Sequence, residues 1–380
     1  MRARRNSPLI HATGAGWEVV SKVSVAVPAG KASGASAPLT PTAWAGLLFT
    51  PIRWIAGWMF LSAFIRRVID MPAKLAPGSQ EYMGHAFTHF LPHALVVGPM
   101  IDYLLHQATL LQAFLVLFTV LEGLIGLFLV LGLMSRLVAM GSSLLAFGIL
   151  LGSGWLGSTC VDEWQIGSLL VGTGAALALS GGGPISADQL LLRWKPRLRQ
   201  TAWFPWLFSG DTLGHTGGRC LHWTVLVVAI VTSFVMLATY QAFHNGLWGG
   251  LYNASKLPNV VISDPSVSQD GAVQLTLYRD GGPDTYGAFI VSVKVLANGQ
   301  PVEVFTPAEL AMLPKTAVKN ETPLALAKAS QFALVLPLSA KAAIDLPPAA
   351  PDLALSPREK LTIAVYDVSG AGWTTPAVVR

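Results

Sequence analysis

From Leu110 to Leu133 the chain runs for twenty-four residues with one charged side chain, Glu122. Few structures are open to such a stretch. In hydrocarbon every backbone N–H and C=O must be satisfied within the segment, which selects a helix, and about 20 apolar residues cross a core about 30 Å thick. Further apolar stretches lie at 43–65, 137–156, 164–181 and 222–242, of which 137–156 and 164–181 are short but rich in glycine. Hydrophobic residues make up 52% of the chain and charged ones only 12%. Soluble domains carry about 25% charged residues, so this chain reads as a membrane protein.

The first span, Trp44–Ile65, carries a charge of its own, Arg53. Lipid solvates neither Arg53 nor Glu122, so each needs a partner, a cavity or a ligand. Each lies about eleven residues from the matching end of its span, hence about 16 Å deep at roughly 1.5 Å per residue. Matched depth and opposite sign predict that Arg53 and Glu122 pair near mid-membrane. Such a pair either ties two helices together or marks a proton-relay or headgroup-binding site.

The basic residues suggest an orientation, since Lys and Arg concentrate in cytoplasmic connections. Residues 1–40 contain Arg2, Arg4, Arg5, Lys22 and Lys31 among Ala, Ser, Gly and Pro, and read as a disordered extension. That extension, Arg136 and the basic, Trp-containing connection 193–219 fall on one side, expected to be cytoplasmic. Residues 66–107, 157–163 and the tail then face outward, which puts Cys160 and Cys220, the only cysteines, near opposite faces. The glycines of the spans, Gly123, Gly126, Gly132, Gly141, Gly148, Gly152, Gly172 and Gly174, are expected to let helix backbones approach closely.

After about residue 246 the pattern changes. Val273–Arg279, Ala288–Leu296, Val302–Phe305, Phe332–Leu336 and Leu361–Val368 are short β-branched or alternating runs, separated by turn signals at Asp264-Pro, Asp280-Gly-Gly-Pro and Asn298-Gly. They predict a small antiparallel sandwich outside the membrane. With no histidine beyond His244 at its edge, this tail reads as a binding or docking module rather than an enzyme. The domain layout is therefore an extension (1–40), a four-helix membrane domain (41–190), a basic linker (191–221), a fifth transmembrane helix (222–245) and the β domain (246–380).

Two clusters could carry chemistry. On the outer side Arg66, Arg67 and Lys74 stand where excess positive charge is disfavoured, which suggests either snorkelling at the interface or an anion site. Beside them Glu81, His85 and His89 recur every four residues, on one face if the segment is helical, and His93 follows. The second cluster runs from Cys160 through Asp162, Glu163, Trp164 and Gln165, at the mouth between the third and fourth spans. Its acids either complement a helix dipole or relay protons, Trp164 offers a surface for a flat ring, and Cys160 is either a small core residue or a nucleophile. His85 and His89 have the i, i+4 spacing of a metal-binding pair but no third ligand at a matching spacing, and no Cys-x-x-Cys-His haem site, Cys-rich metal motif or Gly-x-Gly-x-x-Gly loop occurs. No K/R-rich run with interleaved aromatics suggests nucleic acid.

The stretch from Arg66-Arg67-Val-Ile-Asp-Met-Pro-Ala-Lys74 to Glu81-Tyr-Met-Gly, with His89-Phe-Leu-Pro-His93, Cys160-Val-Asp-Glu-Trp-Gln and Ser180-Gly-Gly-Gly-Pro, resembles the DoxD membrane domain. The tail, opening Gly246-Leu-Trp-Gly-Gly-Leu-Tyr-Asn, resembles DoxA with its single anchoring helix. Together they resemble a fused DoxD–DoxA thiosulfate:quinone oxidoreductase over nearly everything after residue 40. That resemblance implies a four-helix DoxX-like bundle with a fifth helix and an all-β sandwich-like domain, in the cytoplasmic membrane with the tail periplasmic or otherwise extracytoplasmic. It also implies oxidation of two thiosulfates to tetrathionate on the outer face, with electrons passed to membrane quinone and without metal, haem or flavin.

On this basis Arg66, Arg67, Lys74, His85, His89 and His93 are expected to bind thiosulfate. Arg53, Glu122, Trp164 and Gln165 are expected at the quinone, and Cys160, Asp162, Glu163 and Glu122 in the reaction. A homo-oligomer or association with other respiratory-chain subunits is compatible with the same pattern. Two other classes compete: a non-catalytic scaffold or accessory subunit of another oxidoreductase, and a small-anion transporter, to which Pro51, able to break the first span beside Arg53, lends some support.

Overall fold

The computed structural model describes residues 39–157, 161–209, 217–283, 287–348 and 360–380. The expected extension, apart from its last two residues, and Cys160 lie outside these.

The first apolar stretch forms two helices. Helix α1 (Pro41–Leu48) is capped by the Thr40 hydroxyl, which accepts from the Ala43 N–H at 3.3 Å. The chain then bends by 52° at Phe49 into α2 (Thr50–Ile65). Pro51 explains the break: it has no N–H to give, and its ring collides with the carbonyl four residues back in a continuous helix. The Thr50 hydroxyl donates to Gly46 O at 3.0 Å and satisfies part of what the break exposes. At its far end α2 runs into a π-helical turn, Arg66–Asp70.

Two short helices, α3 (Gly84–Phe90) and α4 (Gly98–Leu105), precede α5 (Ala108–Leu131), α6 (Ser135–Ser153) and α7 (Asp162–Ser180). After α8 (Ala187–Trp194) and the single turn α9 (Phe204–Leu207) comes α10 (Gly217–His244). Among the described residues three helices are long and apolar enough to cross a membrane: α5, α6 and α10 from Arg219. The bent α1–α2 pair, continued to Asp70, makes a fourth. Helix α7 equals α6 in length but falls short in hydropathy; it enters the bundle by packing on α6.

Glycines set the two tight pairings. A Cβ on Gly126 would run into the Leu61 backbone and lie 2.8 Å from Gly57 O, and one on Gly57 would lie 2.8 Å from Val130 N, so α2 and α5 touch backbone to backbone. Gly174 plays the same part for α7, its Cβ position lying 2.8 Å from Ala139 O and Ser143 N on α6. The expectation of close packing at every glycine does not hold: at Gly148 and Gly172 a Cβ would meet nothing within 4 Å.

The tail forms ten strands: β1 (Asn259–Val267), β2 (Val273–Gly281), β3 (Ala288–Ala297), β4 (Gln300–Phe305), β5 (Val318–Asn320), β6 (Lys328–Ala329), β7 (Leu334–Leu336), β8 (Lys341–Leu346), β9 (Leu361–Asp367) and β10 (Gly372–Val379). A short helix, α11 (Pro307–Ala311), follows β4 and carries a capping box between Thr306 and Glu309. The strand order is β5-β8-β2-β1-β10-β9-β3-β7-β6, with β4 on β3. The expected antiparallel sandwich is therefore corrected to a nearly closed, barrel-like sheet with one parallel pair, β1 with β10.

Two features produce the near closure. Strand β10 pairs with β9 through Ala377 and then with β1 at Val378 and Val379, joining the two halves of the sheet. At the other side the Asn320 amide substitutes for a strand partner, accepting from Ala327 N at 2.6 Å and donating to Ala327 O at 3.1 Å. Asp264-Pro265, expected as a turn, is an irregularity within β1: Asp264 has a φ of +49° and the register shifts between Ser263 and Ser266.

Candidate functional site

The close α2–α5 contact fixes which charges meet. The helices run antiparallel, with Gly57 opposite Val130 and Gly123 under the Phe64 ring. One turn further on, Arg67 forms an ion pair with Glu122. The two side chains are 19% and 5% exposed, so the carboxylate is the more deeply buried partner. Arg67 also lies over the Phe118 ring, 5.8 Å from its centroid.

Arg53 does not pair with Glu122, contrary to expectation. Its guanidinium donates instead to three carbonyls: Leu129 O at 2.7 Å, Val130 O at 3.1 Å and Ile185 O at 2.7 Å. The depth count failed because it treated 43–65 as one straight span. With the break at Phe49 and the extension to Asp70, Arg53 sits in the first turn of α2, opposite the last turn of α5. There it adds a donor to the last carbonyls of α5, Leu129 O also accepting from Gly132 N at 3.2 Å, and offsets the negative end of the α5 dipole.

Asp188 complements it across the α5–α6 turn. Fully buried, its carboxylate accepts from Met134 N at 2.8 Å, Ser135 N at 3.1 Å and the Ser209 hydroxyl at 2.8 Å, capping the start of α6. Sequence reasoning missed Asp188. Its signal was a lone acid between the last bundle helix and the basic connection.

Next to Arg67 lies a cavity of about 380 Å³, bounded by α3 to α6. Among the described residues Arg67 is its only charged lining group. Phe87, Phe90, Ile101, Phe114 and Phe118 supply much of the rest. An apolar chamber of this size with one cation in its wall suits a flat, lipophilic molecule bearing a hydrogen-bond acceptor.

The remaining candidates surround this chamber. Arg66 is exposed, and Lys74 is half-buried in a turn (Pro72–Leu75) whose backbone accepts from Met83 N at 2.9 Å. That turn is tied to α5 through Gln112, which donates to Leu75 O at 2.7 Å and accepts from the Tyr82 hydroxyl at 3.0 Å. Burial pushes the Tyr82 phenol pKa upward. The single helical face expected for Glu81, His85 and His89 is only partly formed, because Glu81 lies in the turn before α3. His85 meets the Tyr82 ring edge-on, and His93 packs edge-on against Trp155 with centroids 4.8 Å apart. No set of three His, Cys, Asp or Glu side chains among the described residues is placed to hold a metal.

At the expected mouth, Asp162 and Glu163 are exposed in the first turn of α7, where they favour the helix dipole. Trp164 does not offer its ring face to the cavity: it stacks on Tyr240 at 4.5 Å and donates to the Thr239 hydroxyl at 3.1 Å, both on α10. Gln165 is exposed and also lies outside the cavity lining.

The β domain is joined to this end of the bundle. His244, fully buried at the end of α10, places its ring nitrogens 3.0 Å from Gly154 O and 3.2 Å from Tyr252 O. Asn253 donates to Gly157 O at 2.6 Å, and Leu324 packs against the apolar cluster that contains Tyr82.

Two family models match the chain: "TQO small subunit DoxD" over residues 48–211 and "TQO small subunit DoxA" over residues 243–376. The chain is a fused DoxD–DoxA protein. Both families are named for thiosulfate:quinone oxidoreductase, which makes this DoxD–DoxA fusion a membrane oxidoreductase component concerned with thiosulfate and quinone. Most of α10 falls between the two matched regions. The cavity and the Arg67–Glu122 pair lie entirely within the DoxD region.

Proposed function

We propose that the fusion is a thiosulfate:quinone oxidoreductase that oxidises thiosulfate to tetrathionate at the β-domain end and reduces a membrane quinone in the apolar cavity. The observation carrying this reading is the Arg67–Glu122 pair set beside a chamber with no other charged group among its described lining residues. In the balanced reaction, two thiosulfate dianions lose one electron each and join through a new sulfur–sulfur bond. The quinone accepts those two electrons and two protons.

Arg67 suits the quinone end better than the thiosulfate role expected for it, because its guanidinium already faces a buried carboxylate and an apolar space. From there it can donate a hydrogen bond to a carbonyl whose electron density grows on reduction, in a medium of low dielectric where such a bond is strengthened. Glu122, held against Arg67, is placed to hand on a proton. Arg66 and Lys74, with His85, His89 and His93, remain the groups to balance the charge of two approaching dianions. We place the basic α8–α9 end in the cytoplasm and the β domain outside, following the distribution of Lys and Arg.

The test is quinone reduction by the purified full chain with thiosulfate as donor. Glu122→Gln should lower kcat for quinone about 100-fold, within the range for loss of a general acid, and leave the KM for thiosulfate unchanged. Arg66→Ala with Lys74→Ala should raise the KM for thiosulfate instead. If both variants shift the same parameter, the assignment of two separate ends is wrong.

A further inference from the structure

The wall of the cavity between α5 and α6 differs from the tight pairings elsewhere in the bundle. On α6 the lining falls at Leu144, Leu145, Gly148, Ile149 and Gly152, so two of its five wall positions, one turn apart, lack side chains. At Gly148 a Cβ would meet nothing within 4 Å, whereas those of Gly57 and Gly126 would strike neighbouring backbone. The same residue type therefore closes one helix pair and leaves a gap in another. Across this gap stand Leu117 and Leu121 of α5, which like Leu144 are both lining residues and exposed on the outside of the bundle. The apolar lining thus continues onto a surface that only a bilayer would cover favourably.

We propose that the slot between α5 and α6 admits the apolar tail of the quinone directly from the bilayer, with Gly148 as its threshold and Arg67 receiving the ring at the inner wall. This rests on the reading of the chain as a thiosulfate:quinone oxidoreductase. The chemistry of the walls selects the occupant. A molecule with carbonyl oxygens at one end and a hydrocarbon chain at the other satisfies the guanidinium and leaves no polar atom against the leucines and phenylalanines. Thiosulfate does not fit, since a dianion there faces one cation already paired with Glu122. Phe87 of α3 and Ile101 of α4, which also line the cavity, are buried, whereas Leu117, Leu121 and Leu144 on the α5–α6 side, with Met100 of α4, are exposed.

The experiment compares Gly148→Leu, Gly148→Ala and Gly172→Leu in lipid nanodiscs. Gly172 on α7 also has no neighbour within 4 Å of its Cβ position and lies outside the cavity lining, so it controls for adding an apolar side chain. Two readouts are taken on each variant: binding of a decyl-chain quinone in the absence of thiosulfate, and the KM for that quinone against a tail-less, water-soluble one at saturating thiosulfate. Gly148→Leu should weaken decyl-quinone binding and raise its KM on the order of tenfold, as expected when ground-state binding is lost. Gly148→Ala should fall between, and Gly172→Leu should match the parent. Equal decyl-quinone binding in the parent and Gly148→Leu, with Gly148→Ala also unchanged, overturns the slot whatever the activity. Failure of the folded parent to reduce either quinone with thiosulfate defeats the underlying functional reading instead, while the binding series still decides the slot.

Discussion

Replacing Arg67 and Glu122 singly and together asks whether the ion pair is where the structure places it. Arg67→Met keeps the length of the stem and removes the charge, leaving a carboxylate that is 5% exposed without its partner. Removing one member of a buried pair costs about 3–5 kcal/mol. Glu122→Gln leaves Arg67, 19% exposed, facing an amide oxygen that still accepts a hydrogen bond. Its cost should be nearer about 1.5–3 kcal/mol, the worth of a hydrogen bond to a charged group. The double variant places two uncharged side chains in the same space and should lose less than the sum, with a coupling of about 1–3 kcal/mol. Thermal unfolding in one detergent, followed by intrinsic fluorescence, gives the order: Arg67→Met lowest, the double variant above the additive expectation. The matching cycle between Arg53 and Glu122 serves as the counter-test, because among the described residues Arg53 bonds to backbone carbonyls and not to Glu122. It should be additive within about 0.5 kcal/mol. Additivity for Arg67–Glu122 together with coupling for Arg53–Glu122 would refute the pairing and restore the one expected from matched depth.

Gly126→Val should destabilise by several kcal/mol or abolish folding, since even its Cβ collides with the Leu61 backbone; thermal unfolding should show a loss well beyond that of Gly172→Val. His244→Leu should remove the ring N–H donated to Gly154 O or Tyr252 O, at about 1–3 kcal/mol, and limited proteolysis should then cut faster between α10 and β1. Burial, with a smaller contribution from Asp280, pushes the Tyr278 phenol up from 10.0 to about 12. Because the folded value is raised, the unfolded chain loses that proton first, so this contribution is present below pH 10 and lost as pH climbs toward 12. At about 1.36 kcal/mol per pH decade it is at most about 2.7 kcal/mol, and Tyr278→Phe should flatten the fall of Tm over that interval.

The apolar helices were legible because a bilayer allows one solution to a long uncharged run: α5 and α10 each lie within a few residues of their stretches. The ion pair was not, because its register depends on which glycines touch. A shift of four residues on either helix moves a charge by one turn, and the break at Pro51 shifted the whole count. Gly126 and Gly148 look alike in sequence, each a glycine in an apolar helix, yet one is a contact and the other a gap. Only the position of the opposite helix separates them.

In the tail, β2, β3 and β9 announced themselves by β-branched runs. Strand β8, Lys341–Leu346, has only alternation around two alanines, and β1 was hidden by the Asp264-Pro265 bulge. The site was legible as residue types and less so as an arrangement. Arg67 and Glu122 were both singled out, but Glu122 was matched with Arg53, and the Arg67–Glu122 ion pair was not foreseen. Asp188, Gln112 and Tyr82 passed unnoticed because a lone polar residue near an apolar run carries no pattern until the backbone it caps or bridges is known.

The proposed function requires this single chain to transfer electrons from thiosulfate to quinone. The most direct measurement is anaerobic product stoichiometry with the purified full-length protein in nanodiscs, supplied only with thiosulfate and a decyl-chain quinone. One tetrathionate and one quinol should form for every two thiosulfates consumed, with the same ratio at reduced rate in Glu122→Gln. Protein shown to be folded that forms no quinol, or forms quinol without consuming thiosulfate, would contradict it.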